Sequence, residues 1–348
     1  MHHNHLKSFN NIRGETQKLA FLFVFFLATL PLSFAYAQLG PGAESVSVEL
    51  SSNFPKPGES ITVNLLSYSG DLDRAKIFYS INGRTVSSGA GIKKFTFRMG
   101  ALGTATTLGV VVEFQPAGRF EKTITFNPAD VDILWQAADS YTPPFYKGKA
   151  LPPRLSRIRV VAVPEMKTIS GGRVKSDALV YQWKLDDKPQ LEKSGLARNF
   201  MDFTLDYVSN DKTIFVNASS VNEAGLAAVN EAYFLTEEPE IIFYENRPTE
   251  GISYENALGN TFPLKNEEVT LAAEPYFFSA VQKYKRYLSF VWSVGGNEVA
   301  GSVSDPSELT LKSPKDSSGE SEISIQVKND RKFLQQGRAG LTVSFGKQ

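Results

Sequence analysis

The side chains that most often carry catalysis are scarce in this chain. There is no cysteine, and the three histidines are His2, His3 and His5, all upstream of a long apolar run. A thiolate or imidazole metal site, a cysteine nucleophile and a Ser-His-Asp triad therefore cannot be assembled beyond residue 5. A disulfide scaffold and a lipid-modified lipoprotein cysteine are excluded as well. What remains is chemistry that needs neither residue, such as a carboxylate-pair glycosidase or a Ser-Lys hydrolase. Asp186-Asp187 is the most suggestive acid pair. Aspartate at such a place is also what a tight turn favours, because its side chain bonds the neighbouring backbone. Asp71, Asp73 and Arg74 read as a polar loop, and no enzyme activity is expected.

Binding has more to work with. Calcium is the one metal the composition permits, with Asp130, Asp132 and Asp139 near one joint and Glu237, Glu238 and Glu240 near another. The plainer reading is solvated linker acids, and no cofactor is otherwise expected. The aromatic residues form two groups: Trp135, Tyr141, Phe145 and Tyr146, then Tyr276, Phe277, Phe278, Tyr284 and Tyr287. Two readings stay open for them. Exposed rings can stack on sugar faces or anchor a protein partner; alternatively, residues 139–153 fold back and the rings seal a seam between modules, since exposed apolar patches of that size are uncommon. Lys283, Lys285 and Arg286 beside the second group suggest contact with an acidic polymer. Asn217-Ala218-Ser219 matches a glycosylation sequon on an expected strand.

The elements that must position these residues are strands. Beyond the leader the chain alternates apolar and polar residues in short runs divided by Gly, Pro, Asn and Asp, as antiparallel sheets with one buried face do. One pattern occurs three times: Ile77, Tyr79, Ile81 before Asn82-Gly83; Tyr181, Trp183, Leu185 before Asp186-Asp187; Phe290, Trp292, Val294 before Gly295-Gly296. Residues i, i+2 and i+4 share one sheet face, so the central ring is buried, and the dipeptide closes a tight hairpin. Each copy opens with one strand (at Val46, Val131 and Glu240) and continues through further alternating runs. Six or seven strands per copy match an immunoglobulin-like sandwich of about 100 residues. Residues 223–232 are Ala-rich and suggest a helical turn or two, and Gly337 and Gly340 an entry bend for the last strand.

The fold expected is therefore all-β: three tandem immunoglobulin-like sandwiches at 38–127, 128–238 and 239–348. Their joints are short and each holds a proline, Pro128 and Pro239, which implies a semi-rigid rod. Copies two and three each carry a long excursion after their first strand, at 139–153 and 246–265. Residues 1–37 read as a Sec-type signal peptide: Lys7, Arg13 and Lys18 precede the apolar run from Leu19 to Leu30, and Ala35-Tyr36-Ala37 offers the cleavage site. The competing reading is an uncleaved anchor over residues 19–35. The 37 basic and 37 acidic residues balance, so there is no basic excess for gripping a phosphate backbone, and nucleic-acid binding is not expected.

The strands with Tyr181-Gln182-Trp183 and Phe290-Val291-Trp292 before a tight turn resemble the central strand of PKD-like and other Ig-like modules of secreted bacterial proteins. The segment from Asp139-Ser140-Tyr141-Thr142-Pro143-Pro144-Phe145-Tyr146 to Pro152, together with Glu274-Pro275-Tyr276-Phe277-Phe278, is similar to parts of secreted Ig-repeat proteins of candidate-phylum bacteria. The resemblance implies a fold and a compartment, extracellular or at the cell surface, and no activity. Residue reading and resemblance together lead to a non-catalytic, exported structural or adhesive protein. Its expected partner is a cell-envelope protein or a surface assembly, self included. Carbohydrate binding through the aromatic groups is the alternative.

Overall fold

The computed structural model describes residues 46–116, 118–208, 211–313 and 318–346. The leader expected at 1–37 lies outside the described residues. The three sandwiches fall within one compact unit, Glu44–Gln348.

Each sandwich is two sheets closed on an apolar core, antiparallel throughout except for one parallel pair in the third. In the first, β1 (Val46–Leu50), β2 (Ser60–Ser67) and β5 (Lys94–Arg98) form one sheet in the order β1-β2-β5. The other runs β4-β3-β6-β7, from β3 (Lys76–Ile81), β4 (Arg84–Ala90), β6 (Thr106–Glu113) and β7 (Arg119–Phe126). Alternation decides the burial: Ile61, Val63 and Leu65 face in from β2, and Leu108, Val110 and Val112 from β6. Burying each such side chain contributes about 1.5–3 kcal/mol.

The second sandwich repeats the plan. Its small sheet is β13-β9-β8, from β8 (Asp130–Ala137), β9 (Arg157–Glu165) and β13 (Phe200–Thr204). Its large sheet is β11-β10-β14-β15, from β10 (Leu179–Leu185), β11 (Lys188–Pro189), β14 (Asp211–Ser220) and β15 (Ala227–Leu235), with β12 (Gly195–Leu196) also beside β10. Asn230 Nδ2 donates to the Val131 carbonyl at 2.7 Å and ties β15 to β8 across the sandwich. The Ala-rich stretch is not helical: 223–226 is a turn and the rest is β15, because its residues pair with β14 from Ala227 to Leu235. Ladder bonds and inward burial of Ala228 and Phe234 override the helical propensity of alanine.

The third sandwich joins β17-β16-β19-β22 to β18-β24-β23-β20-β21. Its strands are β16 (Glu240–Arg247), β17 (Gly251–Ala257), β18 (Thr261–Leu264), β19 (Glu268–Tyr276), β20 (Leu288–Val294), β21 (Asn297–Val299), β22 (Glu308–Lys312), β23 (Gly319–Asn329) and β24 (Gln336–Phe345). The excursion expected at 246–265 is thus strand β17, which pairs with β16, and strand β18, which crosses to pair parallel with β24. Gly337 and Gly340 lie inside β24 rather than at a bend before it. A Cβ on Gly337 would stand 3.0 Å from the Pro239 carbonyl, so the glycine admits close passage of the chain entering β16.

The threefold motif is built as the sequence implies. Tyr79, Trp183 and Trp292 are fully buried. Asn82-Gly83, Asp186-Asp187 and Gly295-Gly296 all have positive φ, the backbone of a hairpin turn that follows strand twist. Each ring sends its polar tip to a backbone carbonyl: Tyr79 to Ile92 at 2.8 Å, Trp183 to Arg198 at 2.8 Å, Trp292 to Pro306 at 3.0 Å. A buried donor left unpaired costs about 1–3 kcal/mol, so the carbonyl is part of the motif.

Candidate functional site

The excursion at 139–153 is laid against the third sandwich by backbone pairing. The Tyr141 N–H donates to the Phe278 carbonyl, the Phe277 N–H to the Tyr141 carbonyl and the Ala280 N–H to the Asp139 carbonyl, each at 2.7 Å. This short ladder precedes the single α-helix among the described residues, α1 (Ala280–Tyr284). Side chains clamp its flank. Gln335, fully buried, accepts from the Ser279 N–H at 3.0 Å and donates to the Arg154 carbonyl at 2.9 Å. Lys332 Nζ lies 2.7 Å from Asp139 and donates to the Leu155 carbonyl at 2.9 Å.

Aromatic packing completes the contact. Tyr244, Tyr276 and Phe277 form a buried cluster with Tyr146 and Leu151 of the excursion packed against it. Tyr146 stands edge-on to Tyr276 at 5.6 Å and to Phe277 at 6.0 Å, the geometry ring quadrupoles favour. Beside the rings, Glu274 is buried and accepts from Tyr141 Oη at 2.8 Å, Tyr254 Oη at 2.9 Å and Lys283 Nζ at 3.2 Å. Burial first, then the Glu274 charge, holds the Tyr141 and Tyr254 hydroxyls well above the usual tyrosine range. Tyr276 is raised by burial and by its 2.6 Å hydrogen bond with Tyr244. Lys283 Nζ also lies 3.9 Å from the centre of the Tyr141 ring. A carboxylate out of water needs such donors, since an unpaired buried charge costs several kcal/mol.

The nine aromatic candidates therefore part company. Tyr141, Tyr146, Tyr276 and Phe277 belong to the contact between excursion and third sandwich, while Phe278 is in the core of that sandwich. Trp135 stays with the second sandwich, 4.8 Å from Phe234, with Lys149 Nζ 3.1 Å from its ring centre. Burial lowers the Lys149 pKa. Tyr287 is half-buried beside Arg331. Phe145 and Tyr284 are exposed, at 86% and 75%.

Three of the six joint acids face cations. Asp130 meets Lys56 of the first sandwich at 2.9 Å, Asp139 meets Lys332, and Glu238 meets Arg154 at 3.9 Å. No metal-binding group of three or more acids occurs among the described residues. Carboxylates already facing Lys and Arg have little to gain from turning together toward a divalent cation. Asp186 likewise serves structure: it meets the buried Lys212 at 2.8 Å, and its carboxyl is held below the usual range.

Sequence reasoning missed the outer faces of the second sandwich. Leu134, Val161 and Phe200 are cross-strand partners on the outward side of β8, β9 and β13, with Leu134 61% and Phe200 49% exposed. Beside them a groove of about 580 Å³ is lined by Val161, Val163, Pro164 and Val174, with Arg173 and Lys175 at its margin. On the opposite sheet, β15 turns out Tyr233 and Leu235, 59% and 50% exposed. A signal was present in Ile133-Leu134-Trp135, three apolar residues in a row where a half-buried strand should alternate. A second cleft, about 230 Å³, lies on the third sandwich among Lys283, Tyr284, Arg286, Phe290 and Asp305.

Sheets, core and joints define a tandem array of immunoglobulin-like β-sandwiches. No protein-family profile matches the chain, and no curated protein does. Among solved structures, it is similar to the three N-terminal domains of the bacteriophage RB49 Highly Immunogenic Outer Capsid protein, at 10% identity over 87% of this chain and 99% of that one, with a TM-score of 0.24. The central fibronectin-III array of RIM-binding protein is 11% identical over 89% and 100% of the two chains, TM-score 0.30. The Bacteroides ovatus protein SGBP-B, solved with a mixed-linkage heptasaccharide, is 13% identical over 87% and 70%, TM-score 0.22. At these scores the assignment of fold rests on the chain's own sheets.

Proposed function

We propose that the chain is an exported, non-catalytic array that works by protein contact at the cell surface or outside the cell. The observation that carries this reading is that the second sandwich turns exposed apolar side chains outward from both of its sheets, Leu134 and Phe200 on one and Tyr233 and Leu235 on the other. Such faces on a sandwich are where a partner gains most by excluding water. The clamp between excursion and third sandwich supports it, because a contact made by one sandwich is then presented in fixed register with its neighbour. The leader at 1–37 supports export. The test is capture from the producing cell's envelope fraction, by the chain from Gln38 onward and by its Leu134→Glu/Phe200→Glu variant. A protein retained by the parent and lost by the variant, with melting unchanged, is the expected result. Equal retention by both, or none, would sink the reading.

Glycan binding is a second reading, favoured by the exposed Tyr284 ring at the mouth of the 230 Å³ cleft, where Arg286 and Asp305 offer polar groups. If it holds, Tyr284→Ala abolishes retention on envelope polysaccharide and leaves protein capture intact.

A further inference from the structure

The two sheets of the second sandwich share one core, so their outward faces point away from each other. These faces differ in charge. The β9 face has the apolar row Leu134, Val161 and Phe200, and next to it the groove with Arg173 and Lys175, neither of which has an ion-pair partner among the described residues. Arg159 on that face is neutralised by Asp202 at 2.7 Å; Asp132 and Glu165 are its remaining acids. The β15 face presents Tyr233 and Leu235 with Glu231 two residues back on the same strand, Asp211 across from Leu235 on β14, and the exposed Glu237 just beyond the strand; Lys184, over the Phe215 ring, is the cation across β14 from Glu231.

The groove also has a polar requirement. The Ala162 N–H donates to the Asn199 carbonyl, which sets the side of β9 toward which even-numbered residues point their backbone groups. Pro164 therefore turns its carbonyl to the same side, where β13 has not yet begun, and as a proline it offers no donor there. The groove accepts hydrogen bonds and does not give them at that point. A strand added there would find no donor at Pro164, and the groove suits an apolar side chain tipped with a hydroxyl, as Tyr233 is once its 3.4 Å contact with Asp211 Oδ2 opens.

We infer that two copies of this chain associate head to tail, the β15 face of one seated on the β9 face of the next, with Tyr233 in the groove and Glu231 and Glu237 toward Arg173 and Lys175. This rests on the reading of the sandwiches as protein-contact modules and names the partner. Because the surfaces differ, the contact is heterologous, and because they lie on opposite sides of one sandwich successive copies add in a line, so association proceeds to an open filament rather than a small ring.

The experiment is sedimentation velocity on the chain from Gln38 onward, over roughly a hundredfold concentration range. Mass should rise continuously with concentration, and less so in high salt, which screens the charged margins. Two variants are made, Leu134→Glu/Phe200→Glu on one face and Tyr233→Lys/Leu235→Lys on the other, each with its fold checked by melting. Each alone should stay monomeric. Mixed, they should form a one-to-one dimer and nothing larger, because each retains the surface the other lacks. A parent that is monomeric throughout, a parent that stops at a dimer, variants that still grow, or a mixture that does not pair would each overturn the inference. Envelope capture by a parent that does not self-associate would overturn the inference alone, while loss of both would take the proposed function with it.

Discussion

Replacing Tyr141 by phenylalanine isolates one interaction at the clamp between excursion and third sandwich. The ring stays, with its burial and the Lys283 ammonium 3.9 Å from its centre; what goes is the 2.8 Å hydrogen bond to the buried Glu274 carboxylate. A hydrogen bond to a charged group contributes about 1.5–3 kcal/mol. Glu274 keeps Tyr254 and Lys283 as donors, which places the expected loss in the lower half of that range, about 1.5–2 kcal/mol. If the second and third sandwiches unfold together, their melting point drops by about 3–8 °C. The three tryptophans are Trp135, Trp183 and Trp292, all in these two sandwiches, so indole emission follows them without the first. Emission should shift on heating or in urea, while far-ultraviolet circular dichroism retains an unshifted component from the first sandwich. A shift below about 0.5 kcal/mol would mean that the bond to Glu274 contributes nothing net. An equal shift in both signals would mean that the loss is not local to the clamp.

Further expectations follow from the same structure. Phe145→Ala should change stability by no more than about 0.5 kcal/mol, whereas Tyr146→Ala should cost about 2–4 kcal/mol, since only the second ring packs on Tyr276 and Phe277; chemical denaturation of both variants decides. Burial pushes the Tyr79 hydroxyl up to about 12, and Tyr141, Tyr254 and Tyr276 are also raised. The fold therefore binds protons that the unfolded chain releases near pH 10: stability is full below that value and lost as pH climbs toward and past 12. Alkaline denaturation should show this loss, and Tyr79→Phe should make it shallower. Gly91→Ala should cost about 1–3 kcal/mol, because Gly91 has φ +69° and a Cβ would sit 2.9 Å from the Asp73 carbonyl; thermal melting measures it. A cost no greater than that of Gly83→Ala, which has positive φ but open space, would refute the steric part of that account.

Much of the architecture was legible because strands announce themselves locally. Ile77-Tyr79-Ile81 and its two counterparts alternate with period two and stop at residues that tolerate positive φ, so burial of the ring and closure of the hairpin are both written within eight residues. Where local signals conflict, the reading slipped. The alanines of 223–232 favour a helix in isolation, yet β14 offers them a complete ladder, and Asn230 is needed by Val131. The second excursion resolved into β17 and β18 because its short runs find partners on β16 and β24, in different sheets, and nothing in a seven-residue run says which edge will take it.

The site was less legible for the same reason. Composition alone removed thiol chemistry, and the alternation settled an all-β chain with three recurring aromatic hairpins; both are properties of residues and their near neighbours. Whether a tyrosine is exposed is decided elsewhere. Tyr141 is sealed by Phe277, Phe278 and Glu274, more than 130 positions along the chain, and two of the carboxylates weighed for calcium, Asp130 and Asp139, are claimed by Lys56 and Lys332 from neighbouring sandwiches. Contacts of that range depend on how sandwiches meet, and only the tertiary structure, which brings those distant atoms within bonding distance, decided which rings joined the clamp and which stayed exposed.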